Sequence, residues 1–152
     1  MRRRLNDWLL GHIEYTKWSE SPVSYHAWAG VSCIAGALQR KVYLRWGYST
    51  LYHNHYVILV GPSGHARKGE PVLIARSLVN DLSIPIIGED NSPEAVILEI
   101  KNSETTYTDR SNGRTKIQSA VSCFVEELSV FLGKQNTTFL AYLTNWYDAR
   151  DR

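Results

Sequence analysis

Residues 56–70 read YVILVGPSGHARKGE, and the fold turns on them. Tyr56, Val57, Ile58, Leu59 and Val60 run without a charge into Gly61. An apolar run this short, rich in β-branched and aromatic residues and stopped by Gly-Pro, predicts a strand buried on both faces. Gly61-Pro62-Ser63-Gly64 is a tight turn that no helix continues through. Arg67-Lys68-Gly69 then open a segment with apolar residues at Val72, Leu73, Ala75, Leu78 and Val79, which predicts a helix. Strand, glycine loop, lysine and helix in this order are the layout of a phosphate-binding loop. Glycines let backbone N–H groups converge on an anion. The helix N-terminus adds unpaired donors and a positive dipole end, and Lys68 adds a mobile charge for outer phosphates.

The spacing departs from G-x-x-x-x-G-K-[ST]. Counted from Gly61, the Gly-Lys positions fall on Ala66 and Arg67; Lys68 comes one residue late and Gly69 follows it. No Ser or Thr stands after the lysine to hold Mg²⁺, and one position further on is Glu70. Glu70 is open to three readings: a carboxylate favoured by the helix dipole, one that occupies the phosphate place, or one that repels phosphate. The candidate anion-binding set is Gly61, Pro62, Ser63, Gly64, His65, Ala66, Arg67, Lys68, Gly69 and Glu70. An ordinary Gly-rich turn between strand and helix is the plainer alternative.

The chain of 152 residues is long enough for a domain with a real core, and 43% hydrophobic with 21% charged residues is a globular composition. A net charge of +2 gives no global pull toward nucleic acid, so such binding needs a local patch. Arg2-Arg3-Arg4 resembles a signal-peptide start, but Asn6 and Asp7 follow and no apolar stretch of useful length appears. No segment is long enough to span a bilayer. Cys33 and Cys123 each lie in an apolar run and are expected as reduced core thiols of a cytoplasmic protein.

Leu5 to Tyr15 has helical apolar spacing, with Gly11 as a weak point. Ser21-Pro22 predicts a helix start, with Ser at the cap, running to about Arg40. Lys41 to Trp46 alternates, predicting a half-buried strand with Val42, Leu44 and Trp46 on its inner side. Residues 47–54 turn the chain into the 56–60 run. The first fifty residues thus read as a helical preface with one strand, docked on the α/β core and not part of the loop motif. Downstream, residues 83–88 predict a short strand, irregular or at an edge because of Pro85. Ser92-Pro93-Glu94 opens a helix. Residues 104–119 are polar, and Asn112-Gly113 predicts an exposed hairpin with a two-residue turn. Ala120 to Val125 predicts another buried strand, Leu128 to Leu132 a short helix ending near Gly133, and Thr137 to Trp146 a last helix. Strands and helices alternate from Tyr56 onward, which predicts a parallel, helix-covered sheet with ligands at the strands' carboxyl ends.

Glu126 and Glu127 follow the carboxyl end of the 120–125 strand. A nucleotide hydrolase needs Mg²⁺ to neutralise phosphate charge and a group to orient water. Glu126 would serve the metal through water and Glu127 would orient the nucleophile. A solvated helix N-terminus is the plain alternative. His53 and His55 share one face of an extended segment but lack further ligands for zinc. Cys123 is expected to be inert inside its strand. His65 could donate to a phosphate. Arg110, Arg114, Lys116 and Tyr107 on the hairpin could touch nucleic acid, with a solvated hairpin as the blander account.

The segments WSESPVSYHAWAGVSCIAGALQRKVYLRWG, LYHNHYVILVGPSGHARKGE, FVEELSVFLG and LTNWYDARDR, in this order, resemble the P-loop, RecA-like ATPases of phages and integrated elements, which are primase- or helicase-associated. The resemblance implies an incomplete P-loop NTPase-like α/β core over residues 51–152, with a hairpin inserted at about 104–119 and the preface over residues 1–50. It implies that Gly61, Gly64, Lys68 and Gly69 form the phosphate loop and that Glu127 takes the acidic Walker B role. It further implies ATP and Mg²⁺ as ligands, single-stranded DNA as a partner of the full-length protein, and a homo-oligomeric ring. Family members carry Thr after Lys-Gly, where this chain has Glu70, and they continue past LTNWYDARDR. The expectation is therefore the N-terminal part of a longer ATPase or a truncated gene product, either active or a degenerate scaffold.

Overall fold

The computed structural model describes residues 6–88, 91–133 and 136–148. The basic cluster at residues 2–4 and the sequence beyond Asp148 lie outside them. The described chain is mixed α/β, with six helices and three two-stranded sheets.

Helix α1 (Trp8–Thr16) starts at Asp7, whose carboxylate accepts from the Leu10 amide at 3.0 Å. Helix α2 (Val23–Leu38) is capped by Pro22 without a side-chain bond. Ser21, expected as the cap, turns its hydroxyl elsewhere, as described below. Strands β1 (Tyr43–Trp46) and β2 (Ser49–Tyr52) form an antiparallel hairpin. Residues 47–54 thus hold a second strand where only a turn was expected. The hairpin also faces the other way. Val42, Leu44 and Trp46 stand in solvent, while the Tyr43 hydroxyl reaches Asp109 at 2.8 Å. Cations stand over its tyrosine rings: Arg40 lies over Tyr52 and Lys116 over Tyr43.

The 56–60 run forms no ladder, which corrects the expected doubly buried strand. Ile58 is 63% and Val60 79% exposed, with only Val57 and Leu59 partly covered. Side chains anchor its ends instead. The Tyr56 hydroxyl donates to the Leu143 carbonyl at 2.6 Å, and the Tyr25 hydroxyl donates to the Val60 carbonyl at 2.6 Å. Composition favoured a strand, but among the described residues no strand pairs with it, so the ladder that would bury both faces is missing.

Helix α3 (Gly69–Asn80) follows the loop as expected. Strand β3 (Ile86–Ile87) pairs in parallel with β6 (Ser122–Cys123), and this pair is the observed remnant of the expected parallel sheet. Between them come α4 (Pro93–Asn102), capped by Ser92, and the antiparallel ribbon β4 (Glu104–Thr108) and β5 (Thr115–Ser119). The ribbon turn is wider than two residues: the Asp109 amide meets the Arg114 carbonyl at 2.9 Å, and Gly113 takes a left-handed φ of 68°. Asp109 organises this turn by accepting from the Ser111 amide, the Ser111 hydroxyl and Lys116. Helices α5 (Leu128–Leu132), ending at Gly133, and α6 (Thr137–Asp148) complete the order.

Two cores flank the β3–β6 pair. Ala29, Cys33, Ala75 and Val79 from α2 and α3 pack with Ile86 and Phe124 on one face. Ile87, Val96, Phe131 and Phe139 pack with Val121, Val125 and Trp146 on the other. Alternation along each strand sends neighbours to opposite cores. Cys33 is buried as expected, but Cys123 is exposed, and among the described residues β6 pairs with β3 alone.

Candidate functional site

The loop after Val60 is shaped by close approaches. A Cβ at Gly61 would lie 2.6 Å from the Tyr25 hydroxyl and 2.9 Å from the Ala66 Cβ, so only glycine fits between α2 and the loop's far limb. Lys68 Nζ donates to the Gly61 carbonyl at 2.8 Å and closes the loop on itself. Arg67 holds a left-handed φ of 43°, a conformation costly for a side-chain-bearing residue. Its carbonyl accepts from the Ser21 hydroxyl at 2.8 Å and from the Glu70 amide at 3.1 Å.

The loop borders a cleft of about 1030 Å³. Its walls include Pro62, Ser63, Gly64, Arg67, Lys68, Gly69 and Glu70 on one side and Glu126 and Glu127 on another. Gly69 is where they meet: a Cβ there would lie 2.7 Å from Glu126 Oε2. Glu127 accepts from its neighbour Ser129 at 2.7 Å. The cleft thus brings together the glycine loop and the acidic pair, although β6 ends before Glu126 and carries only two ladder residues. Of the other loop residues, Ala66 is buried beneath the loop and His65 is exposed; neither they nor Gly61 line the cleft.

The preface, expected to dock on the core outside the loop motif, reaches the loop itself. Ser19 donates to Glu70 Oε2 at 3.0 Å, Ser21 lies 3.3 Å from the same oxygen, and Glu20 pairs with Arg67 at 2.7 Å. Behind Ser19, His26 Nε2 sits 2.8 Å from its hydroxyl. Ser19 has one proton, directed to the carboxylate, and it also accepts from the Ser21 amide at 2.9 Å. His26 is therefore the donor at Nε2, leaving a bare lone pair at Nδ1. That atom is buried without a hydrogen-bond partner among the described residues, as is Nε2 of His12, whose ring lies 6.2 Å away. Burial lowers the pKa of both imidazoles; at His26 the neighbouring His12 adds to the lowering and Glu70 opposes it.

The helix end fits a nucleotide only in part. Pro71 has no N–H and the Glu70 amide is taken by Arg67, so the first turn of α3 offers fewer donors than an ordinary N-terminus. Arg67 and Lys68 supply the positive charge. Glu126 and Glu127 are the carboxylates on the cleft wall that would hold Mg²⁺.

No family model, curated protein or solved structure matches this chain. The site stands on its own geometry.

Other sequence candidates separate from it. His53 Nε2 bonds to the Ala35 carbonyl at 3.0 Å, a contact that ties the strand exit to α2. No cluster of three or more metal-ligating side chains occurs among the described residues. Among the same residues no helix is long and apolar enough to cross a membrane. Sequence reasoning missed Trp18, Ser19, Glu20, Ser21 and Tyr25, all within reach of the loop or cleft. Ser19 and Glu70 stand 51 positions apart, and nothing local in the sequence joins them.

Proposed function

We propose that the cleft binds a nucleoside triphosphate and that this chain is the ATP-binding unit of a phage-type replication ATPase, primase- or helicase-associated. One observation carries the reading: the glycine loop with Lys68 and the acidic pair Glu126–Glu127 line the same cleft. In this reading Lys68 leaves the Gly61 carbonyl for the outer phosphates, and the loop amides together with Arg67 hold the rest. Mg²⁺, when bound, neutralises phosphate charge, with Glu126 as its carboxylate. Glu127 orients water toward the terminal phosphate. Single-stranded DNA and ring assembly belong to the same reading of the full-length protein.

A second reading, a non-catalytic scaffold that keeps the loop, is favoured by Glu70. Its carboxylate stands near the position expected of a metal-holding hydroxyl and is held there by Ser19. Titration of ATP with and without Mg²⁺ onto the wild type and Lys68→Ala tests the first reading. Lys68→Ala is expected to weaken binding at least about tenfold, and equal binding by both proteins would refute the proposal. Phosphate release by Glu70→Thr separates the readings. Turnover gained by this change assigns the block to Glu70.

A further inference from the structure

We propose that Trp18 is the nucleobase platform of this cleft, so that a nucleotide lies with its base on the indole and its phosphates along the glycine loop; the assignment rests on the nucleotide reading above. Trp18 directly follows the α1 C-cap and is 87% exposed, yet it lines the same cleft as Lys68 and Arg67. A tryptophan left in water contributes nothing to the core, and its indole is accessible to a planar partner on the face that Lys17 does not cover. Its position is fixed by its neighbours. Ser19 reaches Glu70 at 3.0 Å and Glu20 pairs with Arg67 at 2.7 Å, so the chain just after Trp18 is tied at two points to the loop. Lys17 Nζ lies 5.1 Å from the indole centroid and also pairs with Glu14, which orients the ring from the side of α1.

The cleft consequently has two chemical characters. Arg67, Lys68 and the glycine backbone suit an anion. Trp18, with Leu73 and Ile74 from the next turn of α3, gives an apolar wall beside them. Inorganic phosphate would use only the first of these. A nucleotide uses both, because every nucleobase presents a π-face and stacking on an aromatic side chain is tolerant of base identity. The ligand class that fits is a nucleoside polyphosphate with weak discrimination among bases, since stacking on an indole reads no base edge.

Calorimetric titration of the full chain with ATP and with inorganic tripolyphosphate tests this on the wild type, Trp18→Ala, Trp18→Phe and Lys68→Ala. Trp18→Ala is expected to weaken ATP by at least about fivefold, the loss of one stacked base, and to leave tripolyphosphate unchanged. Trp18→Phe is expected to restore most of the ATP affinity. Thermal melts of both Trp18 variants should match the wild type, because the side chain stands in solvent. If Lys68→Ala weakens both ligands while Trp18→Ala weakens neither, the base platform is refuted and the phosphate site stands. If ATP binds no protein in the series, or binds the wild type and Lys68→Ala alike, the nucleotide reading falls and takes this assignment with it.

Discussion

Single residues around the loop carry strain and charge whose effects can be measured separately. Arg67 sits in the left-handed region, where a side chain costs about 1–2 kcal/mol. Its ion pair with Glu20 is exposed and contributes little. Arg67→Gly is therefore expected to be neutral to about 1 kcal/mol stabilising in urea denaturation. Gly61→Ala is expected to cost about 1–3 kcal/mol in the same assay, because the added methyl meets Ala66 and the Tyr25 hydroxyl at short range. The buried histidines set a pH response. His12 and His26 have folded pKa values lowered by burial, so the unfolded chain takes up their protons first as pH falls. The stability they contribute is complete above the ordinary histidine pKa of about 6.5 and is lost below it, down to their folded values. The urea midpoint should fall between pH 7.5 and pH 5.5, and His26→Asn should flatten that slope; a midpoint constant over this range would contradict the assignment.

At the scale of elements, local signals carried well and pairing did not. Ser92-Pro93 does cap α4, Gly133 with φ 67° does end α5, and α3 begins at Gly69. Each of these rests on chemistry within one turn of chain. The 56–60 run has the composition of a central strand, but a strand needs a neighbour, and no composition reports whether one is there. The ribbon shows the same limit. Asn112-Gly113 marks the turn, but Asp109 widens it by gathering Ser111, Lys116 and Tyr43 around one carboxylate. Those contacts hold the Asp109 pKa well below the usual carboxylate range, with Lys116 foremost. Asp109→Ala should speed amide exchange at Ser111, which loses its acceptor, and at Gly113, held by the Asp109 carbonyl, and lower the melting temperature. Unchanged exchange there would show that backbone bonds alone hold the turn. Of the candidate site, the loop and the acidic pair were legible as motifs. The serines that hold Glu70 and Arg67 were not, because Ser21 before Pro22 carries the same signature as a helix cap.

For the whole molecule, stability resides in the two cores around β3 and β6, not in the 56–60 run. Phe139 is 1% exposed and packs edge-on against Phe131 and Trp146. Phe139→Ala is expected to cost about 3–5 kcal/mol by urea denaturation. Ile58→Lys and Val60→Lys, at equally apolar positions of the sequence, are expected to stay within about 0.5 kcal/mol of the wild type, since both side chains already stand in water.

The grip of Ser19, Glu20 and Ser21 on the loop has a thermodynamic corollary. A ligand that rearranges Glu70 or Arg67 must first release bonds made by the segment joining α1 to α2. Whatever free energy that release costs the ligand, the same amount is returned as a weaker hold on that helical pair, since coupling between two places in one molecule runs equally in both directions. Occupancy of the cleft would then be readable at α1 as faster amide exchange, and a force or partner drawing α1 away would tune affinity at the cleft without touching it.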